Sequence, residues 1–143
     1  MLFSALVLGI SLFLAWSRLS PDYVALADRL RTLRGVPRDP NAWQVFSAAD
    51  VLLALLTVSL MALALKGSRR ARIWTLVACV LALVFVIHAV GAPPTNGAPN
   101  AFRPSLGVPS YVLPAPTPGA GETAALIALV GAIGGLSLSL TAD

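Results

Sequence analysis

Charge is what this chain has least of: Asp, Glu, Lys and Arg together make up 11% of its 143 residues, against roughly a quarter in soluble domains. So few charges cannot clothe a chain that is 57% hydrophobic with a mean hydropathy of +0.84, which excludes a soluble globular domain. Histidine and cysteine occur once each, as His88 and Cys79. One cysteine provides neither an intramolecular disulfide nor a thiolate cluster, and one histidine would have to serve every role in a nucleophilic triad. The chain has no glycine-rich phosphate loop and no metal-ligand spacing, and its carboxylates are too few for Mg²⁺-assisted phosphoryl transfer. No N-x-Ser/Thr acceptor occurs, because Asn41, Asn96 and Asn100 are followed two positions later by Trp43, Ala98 and Phe102. No catalytic residue, cofactor or metal is therefore expected, and the chain does not read as an enzyme.

What is present is apolar runs. Lys66-Gly67-Ser68-Arg69-Arg70-Ala71-Arg72 is a cationic knot between Val45–Leu65 and Ile73–Val90, each close to the ~20 residues a helix needs to cross a bilayer. The pair predicts an antiparallel transmembrane hairpin. Residues 1–16 form a shorter apolar run, about 24 Å as a helix, with no basic residues ahead of it to suggest a secretory signal; we read it as a retained first helix. Residues 122–141 form a further span. The expected fold is all-α: a polytopic membrane protein in one domain, with transmembrane helices at 1–16, 43–65, 73–91 and 122–141.

Two connections carry patterns of their own. Ser20-Pro21-Asp22 has the marks of a helix start: a Ser cap, Pro at the first helical position and an acid at the positive end of the dipole. Tyr23, Leu26, Ala27, Leu30 and Leu33 then recur at helical spacing up to Gly35. This predicts an amphipathic interfacial helix over 20–34, with Arg29, Arg31 and Arg34 among lipid headgroups. The connection from 91 to 121 holds eight of the eleven prolines and five glycines, too many for regular structure, but Phe102, Leu106, Val108, Tyr111, Val112 and Leu113 suit an extended, extracytoplasmic lid folded on the bundle. Trp16, Trp43 and Trp74 sit where interfacial aromatics belong. The net charge of +4 comes from cations flanking apolar segments or on the amphipathic stretch, which fits membrane phosphates better than nucleic acid.

Within the runs, Asp50 and His88 are equally far from Arg69 in opposite directions, so straight helices would bring them to one depth. Ser47, Asp50, Ala54, Thr57 and Met61 share a narrow arc suited to a bundle interior. Asp50, His88, Ser47 and Thr57 are the candidate buried polar site. Against an Asp50–His88 pair, Thr75, Ala78, Ala82 and Ala89 lie about a quarter turn from His88, with Cys79 on the opposite side. In the last run Ala124, Ala128, Gly131 and Gly135 keep one face without bulk, a packing surface for another helix. Glu122 reads as a charge at the positive end of that helix and a mate for Arg103.

Trp43-Gln44-Val45-Phe46-Ser47-Ala48-Ala49-Asp50, followed by Val51-Leu52-Leu53-Ala54-Leu55 and preceded by the Ala15-Trp16 end of the first run, resembles small four-helix integral membrane proteins of high-GC actinobacteria. The resemblance implies topology and a bacterial plasma membrane rather than a reaction. The amphipathic 20–34 segment stands where that group has a shorter, glycine-rich loop.

Two functions fit this reading. The first is a non-enzymatic accessory or scaffold subunit of a larger membrane assembly, with membrane lipids and a membrane-protein partner or second copy around it. The alternative is a small carrier, channel or lipid-binding protein using the Asp50/His88 level beneath the lid. Four cations within seven residues, unrelieved by an acid, place the 66–72 loop and both termini in the cytoplasm by the positive-inside rule. Arg18, Arg29, Arg31, Arg34, Arg38 and Arg103 outnumber them on the other side, but are spread more thinly. In intact cells an impermeant thiol reagent should modify Ser105→Cys and spare Ser68→Cys; the reverse pattern inverts the topology.

Overall fold

The computed structural model describes residues 1–18, 39, 41–45, 48–65, 67–91 and 117–142. The interfacial helix expected over 20–34, Ser47, Lys66 and the lid up to residue 116 lie outside these residues, as do Arg29, Arg31, Arg34 and Arg103. Helices are α1 (Leu2–Ser11), α2 (Ala42–Val45), α3 (Ala48–Leu65), α4 (Arg69–Gly91) and α5 (Ala120–Thr141), with two-residue strands β1 (Ser17–Arg18) and β2 (Thr117–Pro118). α3, α4 and α5 are each long and apolar enough to cross a membrane. At 1.5 Å per residue they run for about 27, 35 and 33 Å, bracketing a hydrocarbon core of ~30 Å.

The first apolar run is helical only to Ser11, about 15 Å; Leu12 to Leu14 turn away from the axis. The cause is local. Ser11 Oγ donates to Leu8 O at 2.6 Å, and the Trp16 indole N–H donates to Ser11 O at 2.8 Å, so side chains take over carbonyls that a continuing helix would have used. Trp16 is completely buried rather than set at the lipid boundary as expected, while Trp43 and Trp74 are exposed.

α4 begins earlier than its apolar run does. Ser68 Oγ accepts from Ala71 N–H at 3.3 Å, an N-cap bond, so Arg69, Arg70 and Arg72 form the first turn instead of a loop. Cations there oppose the dipole of α4. Arg72 has another use: its guanidinium donates to Ser139 O at 3.3 Å, at the C-terminal end of α5 where a cation is favourable.

The principal contacts join α1 to α3 and α5, and α4 to α3 and α5, a closed ring of four helices. Directions alternate around it. Added Cβ atoms on Gly131 and Gly135 would meet Ser4 and Met1, and one on Gly121 would meet Trp16, so α1 runs antiparallel to α5. Met1, the 67–68 turn and Thr141 thus share one end, the hairpin end, and Trp16, Asn41, His88 and Glu122 the other, the Trp16 end. At the Trp16 end β1 pairs antiparallel with β2, Ser17 opposite Pro118, and Ala15 bridges Asn41. Leu8, Leu12, Leu53, Leu56, Leu60, Cys79, Val86, Leu129 and Leu136 fill the middle.

Gly121 sits at a close approach between α5 and the chain leaving α1. A Cβ there would lie 2.5 Å from Trp16 Cδ1 and 2.8 Å from Ser11 O, a clash that overpacking data put at about 1–3 kcal/mol. Gly121→Ala should lower the thermal midpoint in detergent. Gly134→Ala, with nothing within 4 Å of its Cβ, should leave it unchanged or raise it, since Ala is favoured over Gly in a helix by about 1 kcal/mol.

Candidate functional site: a closed polar level at the Trp16 end

α3 and α5 run in the same direction, and each carries a carboxylate as its third residue, Asp50 and Glu122. Both therefore enter the bundle from the Trp16 end, where first-turn amides lack intrahelical acceptors and the helix dipole is positive. Asp50 is 1% exposed and Glu122 0%. Neither Asp50 oxygen has a hydrogen-bond partner among the described residues, nor has Ser17 Oγ on β1, and the Glu122 carboxylate has only the Gly119 amide near it, short of full hydrogen-bond geometry. Burying such groups unpaired costs roughly 1–3 kcal/mol for a neutral polar group and more for a charge, so they are costly features at one level of a largely apolar molecule.

Local sequence explains why the acids point inward. Leu53, Leu56, Thr57 and Leu60 are buried on α3, so Asp50 continues an inward stripe one turn earlier. Thr57 caps nothing outside its own helix: its Oγ1 donates to Leu53 O at 2.9 Å, and its methyl faces Gly9 of α1. On α5, Gly121, Glu122, Ala125, Ala128, Leu129, Ala132 and Leu136 form the buried face, which carries Glu122 inward beside Trp16.

His88 is not joined to Asp50. Its ring is exposed on α4, and both Asp50 oxygens lack a partner. The register explains the offset. Residues lining the α3/α4 seam are symmetric about Gly67: Ala49 and Phe85 are each 18 residues from it (67 − 49 and 85 − 67), Leu56 and Ala78 each 11 (67 − 56 and 78 − 67). The hairpin therefore pivots on Gly67 rather than Arg69, because Ser68 caps α4 so early. Asp50 is then level with Val84, and His88 lies four residues further toward the Trp16 end, about 6 Å. The inward face of α4 carries Cys79, Val86 and Ala89; of the small residues expected there, Ala78 is exposed and Ala82 partly buried.

Ala128 is buried and Ala124 partly so, while Gly131 and Gly135 face Ser4 and Met1 of α1. Glu122 is the residue the sequence undervalued. Its signal was the Gly119-Ala120-Gly121 run ahead of it, small residues that let another element come close. Among the described residues no three His, Cys, Asp or Glu side chains come together, so the two acids do not belong to a three-ligand cluster. Alone, they can exchange protons and accept hydrogen bonds.

No family model matches the chain, and neither the curated proteins nor the solved structures contain a match to it.

If the acids serve a purpose other than stability, replacing them with apolar residues of similar size should relieve an unpaired buried group. Asp50→Leu and Glu122→Leu should each leave the unfolding free energy in detergent unchanged or raise it by about 1–3 kcal/mol. A clear loss of stability in both would show that the carboxylates are structural.

Proposed function

We propose that this protein is a non-enzymatic integral membrane protein of a bacterial plasma membrane, acting as an accessory subunit of a larger membrane assembly. The observation that carries the reading is the contrast between a closed interior and an open flank. The only carboxylates placed within the described spans, Asp50 and Glu122, are 1% and 0% exposed, and burial of this kind weighs against a carrier or channel. α4, by contrast, is the least buried of the three long helices, with Ile73, Trp74, Val77, Val84 and Ile87 exposed along it.

Such a flank suits lateral association, in which van der Waals packing between helices replaces helix–lipid contact. Gly131 and Gly135 of α5 are engaged by the α1 side of the bundle, so α4 offers the broader surface. The proposal includes α1 as a fourth membrane element, the 20–34 helix lying on the outer interface with Arg29, Arg31 and Arg34 at lipid phosphates, and the termini and 66–72 loop in the cytoplasm. The apolar stripe of 20–34 and the charge density of 66–72 support these parts.

Affinity purification of the full chain in mild detergent, followed by mass spectrometry, tests the idea. A membrane protein in constant ratio to the bait is expected, and Val77→Ala with Val84→Ala and Ile87→Ala should deplete it while the bait remains folded. Recovery of the bait alone under several mild detergents sinks the subunit reading.

A further inference from the structure

The ring of helices is not closed evenly. α3 and α4 are joined by a short turn, yet halfway along they part around a groove of about 350 Å³ lined by Ala49, Leu52, Leu53 and Leu56 on one side and Ala78, Leu81, Ala82 and Phe85 on the other. Three alanines face the seam where larger side chains would close it. Leu52 and Leu81, both 66% exposed, form the lips, so the groove opens sideways from two apolar spans.

We infer that this groove holds one acyl chain of a phospholipid from the membrane leaflet at the Trp16 end. Chemistry narrows the occupant first. Every lining side chain is hydrocarbon, so a ligand needing hydrogen bonds is excluded there, and water gains no partners in an apolar recess. A gap left unfilled forfeits dispersion contacts along both helices, and in a bilayer those contacts are what holds helices together.

Depth then separates a lipid from a protein. The groove starts at Ala49, beside the first residue of α3, and ends at Leu56 and Ala78, near the middle of α3 and α4. It is thus confined to one half of the span, the reach of a lipid tail in its own leaflet. A transmembrane helix from a partner would run the whole ~30 Å and present a side-chain surface to the full seam. A recess two turns long also falls far short of the ~800 Å² per partner that a stable protein interface buries. His88 lies seven residues beyond Leu81, on the same lip, and its exposed imidazole is placed toward the boundary, where a headgroup oxygen can accept from a ring N–H.

This inference is independent of the accessory-subunit proposal, because it concerns the α3/α4 seam and can be read on the isolated protein. The full chain is reconstituted in phosphatidylethanolamine/phosphatidylglycerol vesicles carrying a trace of phosphatidylethanolamine with a mid-chain diazirine. After irradiation, adducts are mapped by mass spectrometry. Several-fold enrichment on Leu52, Leu53, Leu56, Leu81 and Phe85 over Val58, Val130 and Leu138, whose exposure is close to that of Leu52 and Leu81, is the expected result. Ala82→Leu, which fills the groove, should abolish the excess and leave labelling of Val130 and Leu138 unchanged; Ala49→Leu is read in its place if that variant does not fold. Even labelling across both sets overturns the proposal. Protection of the groove residues in a protein that runs as a dimer also overturns it, assigning the groove to a second copy.

Discussion

Everything at the Trp16 end depends on one exchange of backbone hydrogen bonds. The amide of Gly119 donates to Trp16 O at 2.9 Å and that of Gly121 to Ala15 O at 2.7 Å. The start of α5 has amides without intrahelical acceptors, and the chain leaving α1 has carbonyls without donors. Within or near a bilayer neither set can be left to water, so each satisfies the other. The approach this demands leaves no room for a side chain at Gly121, and it draws the indole of Trp16 inward to plug the junction. α1 is then held along the face of α5, and α3 packs on α1 through Gly9 and Thr57.

Clusters of buried polar groups arise from this architecture rather than beside it. Bringing the starts of α3 and α5 to one end puts Asp50 and Glu122 at the positive ends of two parallel dipoles, which moderates the cost of burying them without supplying a partner. Intramembrane acids of this kind are expensive and tend to be kept for a purpose. The α3/α4 seam shows the opposite economy: no polar group, small residues, and an opening to the side. α4 packs closely on α5 and loosely on α3, so its inward face is rotated toward Cys79 and Val86 and its alanine stripe is turned to the seam.

How much of this was legible in the sequence differs by element. The spans α3, α4 and α5 were, because length and hydropathy decide them and tertiary packing changes only their ends. The start of α4 was misplaced by four residues: arginines at a helix N-terminus read as loop until Ser68 is seen to cap it and Arg72 to reach α5. The shared depth of Asp50 and His88 failed for the same reason, since a depth count is only as good as its pivot. Trp16 could be placed at a boundary but not recognised as buried, because burial depends on Gly121, about 100 residues later. Glu122 was seen as a dipole charge, and nothing local says that it is buried.

That separation has a consequence for how the molecule is made. The bonds between Ala15 or Trp16 and Gly119 or Gly121 close a loop of about 100 residues, the kind of contact whose entropy has to be met before it rewards the chain. During synthesis α1 emerges long before α5 exists, too short to cross a bilayer by itself, with its terminal carbonyls unanswered and Trp16 without its pocket. The α3/α4 hairpin can form alone, from neighbours in sequence. The bundle is therefore a clasp that shuts only when α5 arrives, and its first helix remains provisional until nearly the whole chain has been translated.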